Sequence, residues 1–183
     1  MKVLASLVLL VASSAHAMPM AQAALKPEQV RTADARKTQA YLADGVVVGG
    51  DCAVDEMVVK DIRRAVNAGF ERVVIDLEGT RGGEPGAIQR PPYFQAAVTS
   101  DEQRIVLTLF GKPKLAFDAQ KVQAAFRRST NLQGVELLPR LNDDSWTFVL
   151  GMKPHQSVEV FELTQPARII VDIRTNPKQT AER

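Results

Sequence analysis

From Met57 onward the chain alternates apolar and polar residues in short runs, with turn residues at intervals of about 8 to 12 positions, the signature of a sandwich or barrel. Met57 to Val66 reads as the first strand, and Asn67-Ala68-Gly69 turns it into a second, Phe70 to Glu78. Gly79 to Gly86 is glycine-rich and reads as a long turn. Tyr93 to Thr99 and Arg104 to Phe110 are joined at Ser100-Asp101-Glu102 and form a hairpin. One helix interrupts this pattern: Asp118 fits an N-cap, Val122, Ala125 and Phe126 share a face, and the helix should end near Asn131 to Gly134. Val135 to Leu141, Trp146 to Lys153, Ser157 to Leu163 and Arg168 to Arg174 complete the set, with turns at Asn142-Asp143-Asp144 and Lys153-Pro154-His155. The expected fold is mainly β, a β-sandwich of about eight strands with one inserted α-helix.

Before residue 57 the pattern differs. Lys2 precedes an uncharged apolar stretch, Val3 to Ala12, and two A-x-A sites follow, so residues 1–23 read as a secretory signal peptide cleaved after Ala17 or Ala23. Ser13, Ser14 and His16 interrupt the stretch before it reaches the about 20 apolar residues of a membrane span, so no stable insertion is expected after cleavage. The expected address is the periplasm, and no cysteine directly follows the apolar stretch as it would in a lipoprotein. Residues 24–56 show no sustained periodicity and read as an arm, either a mobile spacer or a short helix over Lys26 to Leu42 that starts with Pro27 and docks loosely. Residues 175–183 read as a polar tail.

One strand pattern recurs. RVVIDL from Arg72, RIVLTL from Arg104 and RIIVDI from Arg168 share it. Because successive strand residues point to opposite faces, Val73, Ile75 and Leu77 face one way while Arg72, Val74, Asp76 and Glu78 face the other. Ile169, Val171 and Ile173 separate from Arg168, Ile170 and Asp172 in the same way. One face is core; on the other, Arg and Asp of neighbouring antiparallel copies can pair.

Two phrases carry a family resemblance. Gly69 to Gly79 (GFERVVIDLEG), entered from the strand Met57 to Val66, resembles the opening of AMIN and AMIN-like domains, and Val158 to Leu163 followed by Pro166 to Ile173 resembles their end. The resemblance covers residues 57–174. It implies a compact periplasmic β-sandwich that binds peptidoglycan or envelope partners. With no amidase or pore domain in the 183 residues, the module is expected to act alone or in trans.

Composition narrows the functions. Removing residues 1–23 takes only Lys2 from the 23 basic residues, leaving 22 against 21 acidic, without the basic excess of a nucleic-acid binder. Cys52 is the single cysteine, so no intramolecular disulfide forms; it is either a small buried hydrophobe or a thiol for dimerisation. His155 lies at a turn without a second ligand or nucleophile at motif spacing, and one His and one Cys are too few for zinc, so no metal or cofactor is expected. Asp76 and Glu78 share a strand face and offer paired carboxylates for a glycan or muropeptide hydrolase, although solvated strand residues beside arginines account for them as well. Gly79 to Gly86 lacks the spacing of a phosphate-binding loop. Three roles follow: a non-catalytic peptidoglycan-binding module first, an adaptor binding envelope proteins through an edge strand second, and the hydrolase last. For the first, Arg72, Arg104 and Arg168 offer forks to carboxylates, with Tyr93 and Trp146 as sugar platforms. Trp146 shares its face with Phe148 and Leu150 and fits a core equally well.

Overall fold

The computed structural model describes residues 29–175. Twelve strands and one helix follow in the order β1 Val30–Thr32, β2 Gly45–Gly49, β3 Glu56–Asn67, β4 Phe70–Arg81, β5 Glu84–Gly86, β6 Phe94–Thr99, β7 Arg104–Phe110, β8 Lys114–Leu115, α1 Ala119–Phe126, β9 Leu132–Leu137, β10 Ser145–Met152, β11 Gln156–Leu163 and β12 Arg168–Thr175. They form two sheets. The first runs β1-β2-β6-β7-β10-β9; the second runs β11-β12-β4-β3-β8, with β5 paired to β4.

The alternation in the sequence maps directly onto this sandwich. Phe94, Ala96 and Val98 on β6, Ile105, Leu107 and Leu109 on β7, and Trp146, Phe148 and Leu150 on β10 point inward from the first sheet and are buried. Val73, Ile75 and Leu77 on β4 meet them from the second, with Ile169, Val171 and Ile173 on β12. Fully burying a side chain of this size contributes roughly 1.5–3 kcal/mol, so this shared interior is the main source of stability.

The eight long strands expected from the sequence are present, and the other four are short. β5 arises where a long turn was expected: β4 runs on to Arg81, and Gly82 (φ 61°) and Gly83 (φ 83°) turn it back into β5. Two successive positive φ angles make the tight mirror-image turn that suits the twist of a hairpin, and glycine adopts them without steric cost. β3 carries a bulge between Val59 and Asp61.

The helix begins as expected, with the Asp118 carboxylate accepting the N–H groups of Gln120 (2.9 Å) and Lys121 (3.1 Å). Val122 and Phe126 are buried; Ala125 is exposed. The helix stops earlier than expected, at Phe126, because the second sheet captures its end. Arg64 on β3 donates to the carbonyls of Ala125 (2.7 Å) and Arg128 (2.8 Å). Fully buried Glu71 on β4 accepts from the Ser129 hydroxyl (2.7 Å) and from the N–H groups of Thr130 (3.0 Å) and Asn131 (2.9 Å), and pairs with Arg64 at 2.6 Å. Burial alone would push the Glu71 carboxyl up, but these donors hold it below its ordinary value. β9 consequently starts at Leu132 rather than Val135, and it ends at Leu137, two residues before Pro139.

The arm departs most from expectation. Within its described part, residues 29–56, there is no α-helix, and the segment is built into the sandwich. β1 pairs in parallel with β2, and β2 pairs with β6. The connection between β1 and β2, residues 33–44, crosses to the second sheet and returns, bridging Asp34 to Phe161 and Leu42 to Val158 on β11. Ala33 and Leu42 are buried at its two ends. Neither apolar anchor is part of a periodic run, which is why the segment reads as a spacer. The proposed signal peptide and all of the tail after Thr175 lie outside the described residues.

Candidate functional site

The first and third copies of the repeated pattern lie side by side. β12 runs antiparallel to β4, with Arg168 opposite Asp76 and Asp172 opposite Arg72. Both pairs close on the outer face of the second sheet. Arg72 grips Asp172 with two bonds, Nε to Oδ1 at 2.7 Å and a terminal nitrogen to Oδ2 at 2.8 Å. Arg168 Nε reaches Asp76 Oδ1 at 2.7 Å, and Arg63 on β3 binds the same carboxylate at 2.6 and 3.2 Å. Burial would raise the Asp76 carboxyl, but these two guanidinium groups hold it below its ordinary value. Between the two charged rows lie Val74, Ile170 and Phe161, a small buried apolar cluster on the outer face, with the Arg72 guanidinium 5.4 Å from the Phe161 ring.

The strap of residues 33–44 adds groups that no local pattern announces. Lys37 Nζ lies 2.5 Å from Asp172 Oδ2 and 3.1 Å from the Tyr41 hydroxyl. Partial burial would lower the Lys37 pKa, but those two partners raise it above its ordinary value. The same ammonium sits 3.5 Å from the centre of the Phe70 ring, which also faces Arg72 at 5.3 Å. The Arg174 guanidinium lies 3.8 Å from the centre of the Tyr41 ring, which the Lys37 ammonium approaches at 5.6 Å. Cations and rings therefore alternate in the order Arg174, Tyr41, Lys37, Phe70, Arg72. Each contact contributes about 0.5–2 kcal/mol depending on exposure, and the ion pairs beneath fix the positions.

Of the five residues proposed from the sequence, this face gathers two, Arg72 and Arg168. Arg104 lies on the first sheet and pairs with Glu102. Tyr93 is 46% exposed and packs against Phe110, ring centres 5.2 Å apart, away from the ladder. Trp146 cannot serve as a sugar platform. It is 1% exposed, its Nε1 donates to the Leu138 carbonyl at 2.9 Å, and its ring stacks on Phe148 at 5.1 Å. The core reading of Trp146 is the one the structure bears out. The residues that sequence reasoning missed are Lys37, Tyr41, Arg63, Phe70 and Arg174. Only the outward parity of Arg63 and Arg174 on their strands was there to find them.

Two further regions carry chemistry. A cleft of about 420 Å³ is lined by residues including Cys52, Glu84, Ile88 and Arg90. Arg90 binds Asp51 at 2.6 Å and the buried Glu162 at 2.9 Å, and the Gly50 N–H donates to Glu162 at 2.9 Å, so the arginine of this cleft is committed to two carboxylates. His155 is exposed at the turn between β10 and β11 with φ 62°. Glu78, offered with Asp76 as a carboxylate pair, binds Lys60 at 3.1 Å. Among the described residues, no group of three or more His, Cys, Asp or Glu is arranged to hold a metal ion. No helix among them is long and apolar enough to cross a membrane.

None of the curated proteins matches the chain. The model of one family, the AMIN-like domain, matches residues 57–175, from the second residue of β3 to the last residue of β12. With nearly two thirds of its length matched, and with the two-sheet fold that the resemblance implied, the chain belongs to the AMIN-like domain family of envelope modules.

Proposed function

We propose that this protein is an exported, non-catalytic module of the bacterial envelope that binds peptidoglycan through the outer face of its second sheet. The observation that carries the reading is the ladder of Arg174, Tyr41, Lys37, Phe70 and Arg72. Peptidoglycan presents sugar rings and peptide carboxylates, and ring faces next to guanidinium forks are the groups that engage them. The ion pairs hold those groups in place before a ligand arrives, which lowers the ordering cost of binding. Export rests on the basic start, the apolar stretch and the two A-x-A sites at the N-terminus.

The bonding of Asp76 supports a non-catalytic role. Arg63 and Arg168 lower its pKa, which suits no general acid, and between them they occupy both of its oxygens, which a nucleophile or base would need free for substrate or water. An adaptor role remains the second reading, favoured by the way the strap covers β11.

Co-sedimentation with purified insoluble sacculi tests the proposal. The full mature chain should pellet at low salt and be released as ionic strength rises. Tyr41→Ala and Arg174→Gln should each weaken attachment about fivefold, the loss expected for one cation–ring contact. A chain that stays in the supernatant at low salt would overturn peptidoglycan binding, and turnover of muropeptides abolished by Asp76→Ala would overturn the non-catalytic assignment.

A further inference from the structure

β11 is the outer strand of its sheet, yet every residue from Gln156 to Glu162 is buried. Edge strands carry backbone groups that pair readily with another chain, and folded proteins cover them. Here the cover is the strap. Leu42 and Val158 exchange both backbone hydrogen bonds, at 2.8 and 2.7 Å, and the Glu162 N–H donates to the Asp34 carbonyl at 2.8 Å. Between those points the strap is held by two carboxylates. Glu159 Oε1 accepts the N–H groups of Thr38 and Gln39, each at 2.6 Å, and Asp172 takes Lys37.

The fit is incomplete in two ways. Asp34, Ala35, Arg36, Thr38, Gln39 and Ala40 are exposed, so the crossing adds little apolar burial beyond its ends. Beneath it a cavity of about 30 Å³ is lined by Thr38, Leu42, Glu159 and Val160 among others. Glu159 is 2% exposed, and its Oε2 accepts no hydrogen bond among the described residues. A buried carboxylate oxygen without a donor is a cost that the strap leaves in place.

We propose that the outer edge of β11, together with Glu159 and Asp172, is a docking strip for an extended, basic segment of a partner protein, and that residues 34–42 occupy it in the partner's absence. The chemistry of the strip defines that segment. Val158 and Glu162 offer backbone pairing of the kind used in strand addition. Asp172 and Glu159 are both anions, and Asp172 already selects a lysine. A second cation placed over Glu159 supplies the donor that Oε2 lacks, so a lysine-rich segment gains where the strap falls short. The strip differs from the peptidoglycan face in what it reads, a strand edge and two carboxylates, but the two share Asp172, and a segment that displaces residues 34–42 also takes Lys37 and Tyr41 out of the ladder.

Two experiments test it. In the wild-type mature chain, hydrogen exchange at Val158 and Glu162 should proceed by local opening, at least about tenfold faster than at Ile170 and Val73 and insensitive to low denaturant. Exchange only through global unfolding would mean that the strap does not open, and the proposal fails. Lys37→Gln then weakens the strap while leaving β11 intact, with thermal melting as the check on folding. A synthetic peptide copying residues 31–44, titrated into isotope-labelled Lys37→Gln chain, should shift the amides of Val158, Glu159, Glu162 and Asp172 saturably. It should bind wild type about tenfold more weakly, because there it competes with the native lysine. The peptide bearing Thr38→Lys should bind more tightly, and the one bearing Lys37→Glu should not bind. Absent or scattered shifts, or equal affinity of all three peptides, would overturn the proposal.

Discussion

Nearly the same six residues lead to different outer surfaces on the two sheets. RVVIDL on β4 and RIIVDI on β12 lie next to each other and place an aspartate opposite each arginine, so the outer face closes into an ion network. RIVLTL on β7 has Thr108 where the others have aspartate. Its neighbour on β10 is Thr147, and the two hydroxyls meet at 3.0 Å. Around that pair the outward residues Gln95, Ala97, Val106 and Val149 are uncharged, and Arg104 is left at the strand's start with Glu102. All three copies bury their inward apolar positions, while the outward one is buried at Val74 and Ile170 and only half-buried at Val106. The difference teaches that inward parity builds the sandwich, while one outward position decides whether a face can hold charge.

Breaking the ion network should have the largest effect. Asp172→Ala removes the buried anion between Arg72 and Lys37 and should cost about 3 kcal/mol in urea unfolding, since it leaves two half-buried cations without their partner. The double variant with Arg72→Ala should recover part of that loss, which identifies the pair as the source. Acid should separate the sheets less sharply. Glu71 and Asp76 both have depressed pKa values in the fold, against ordinary values of 4.5 and 3.8. Their contribution is complete above those ordinary values and is lost as pH falls through the lower folded ones. Melting temperature should therefore hold from pH 7 to about 5 and fall below about 4.5, with a shallower fall in Glu71→Gln. That variant should also lose about 1–3 kcal/mol at neutral pH, where four donors, Arg64 among them, lose their charged acceptor. The smallest effect belongs to the first sheet. Thr147→Val should change stability by no more than about 0.5 kcal/mol and leave the acid limb untouched, because no carboxylate depends on it.

What could be read beforehand follows the range of the forces involved. Alternation reports burial along one strand, and the long strands, the helix start at Asp118 and the inward sets of Val73 and Ile169 were all legible from it. The Arg and Asp pairing was legible as a possibility, and only the adjacency of β4 and β12 made it real. Trp146 fitted two roles until its neighbours were known. The strap was illegible, because Lys37 and Tyr41 earn their places from Asp172 and Arg174, 135 and 133 positions away, and nothing near them in the chain signals that contact. The β4–β5 turn was hidden for the opposite reason: its glycines were visible, but a hairpin and a loop share that composition.

The crossover between β1 and β2 has a practical consequence for anyone choosing where to cut the gene. The family match begins at residue 57, whereas the wall of the sandwich begins earlier, at Val30. A fragment trimmed to the match would lose two strands of the first sheet and the cover of β11, leaving Glu159 bare beside an open edge. Such a fragment would be prone to stick to itself through that edge, and its poor behaviour would be a fault of the trimming rather than of the fold.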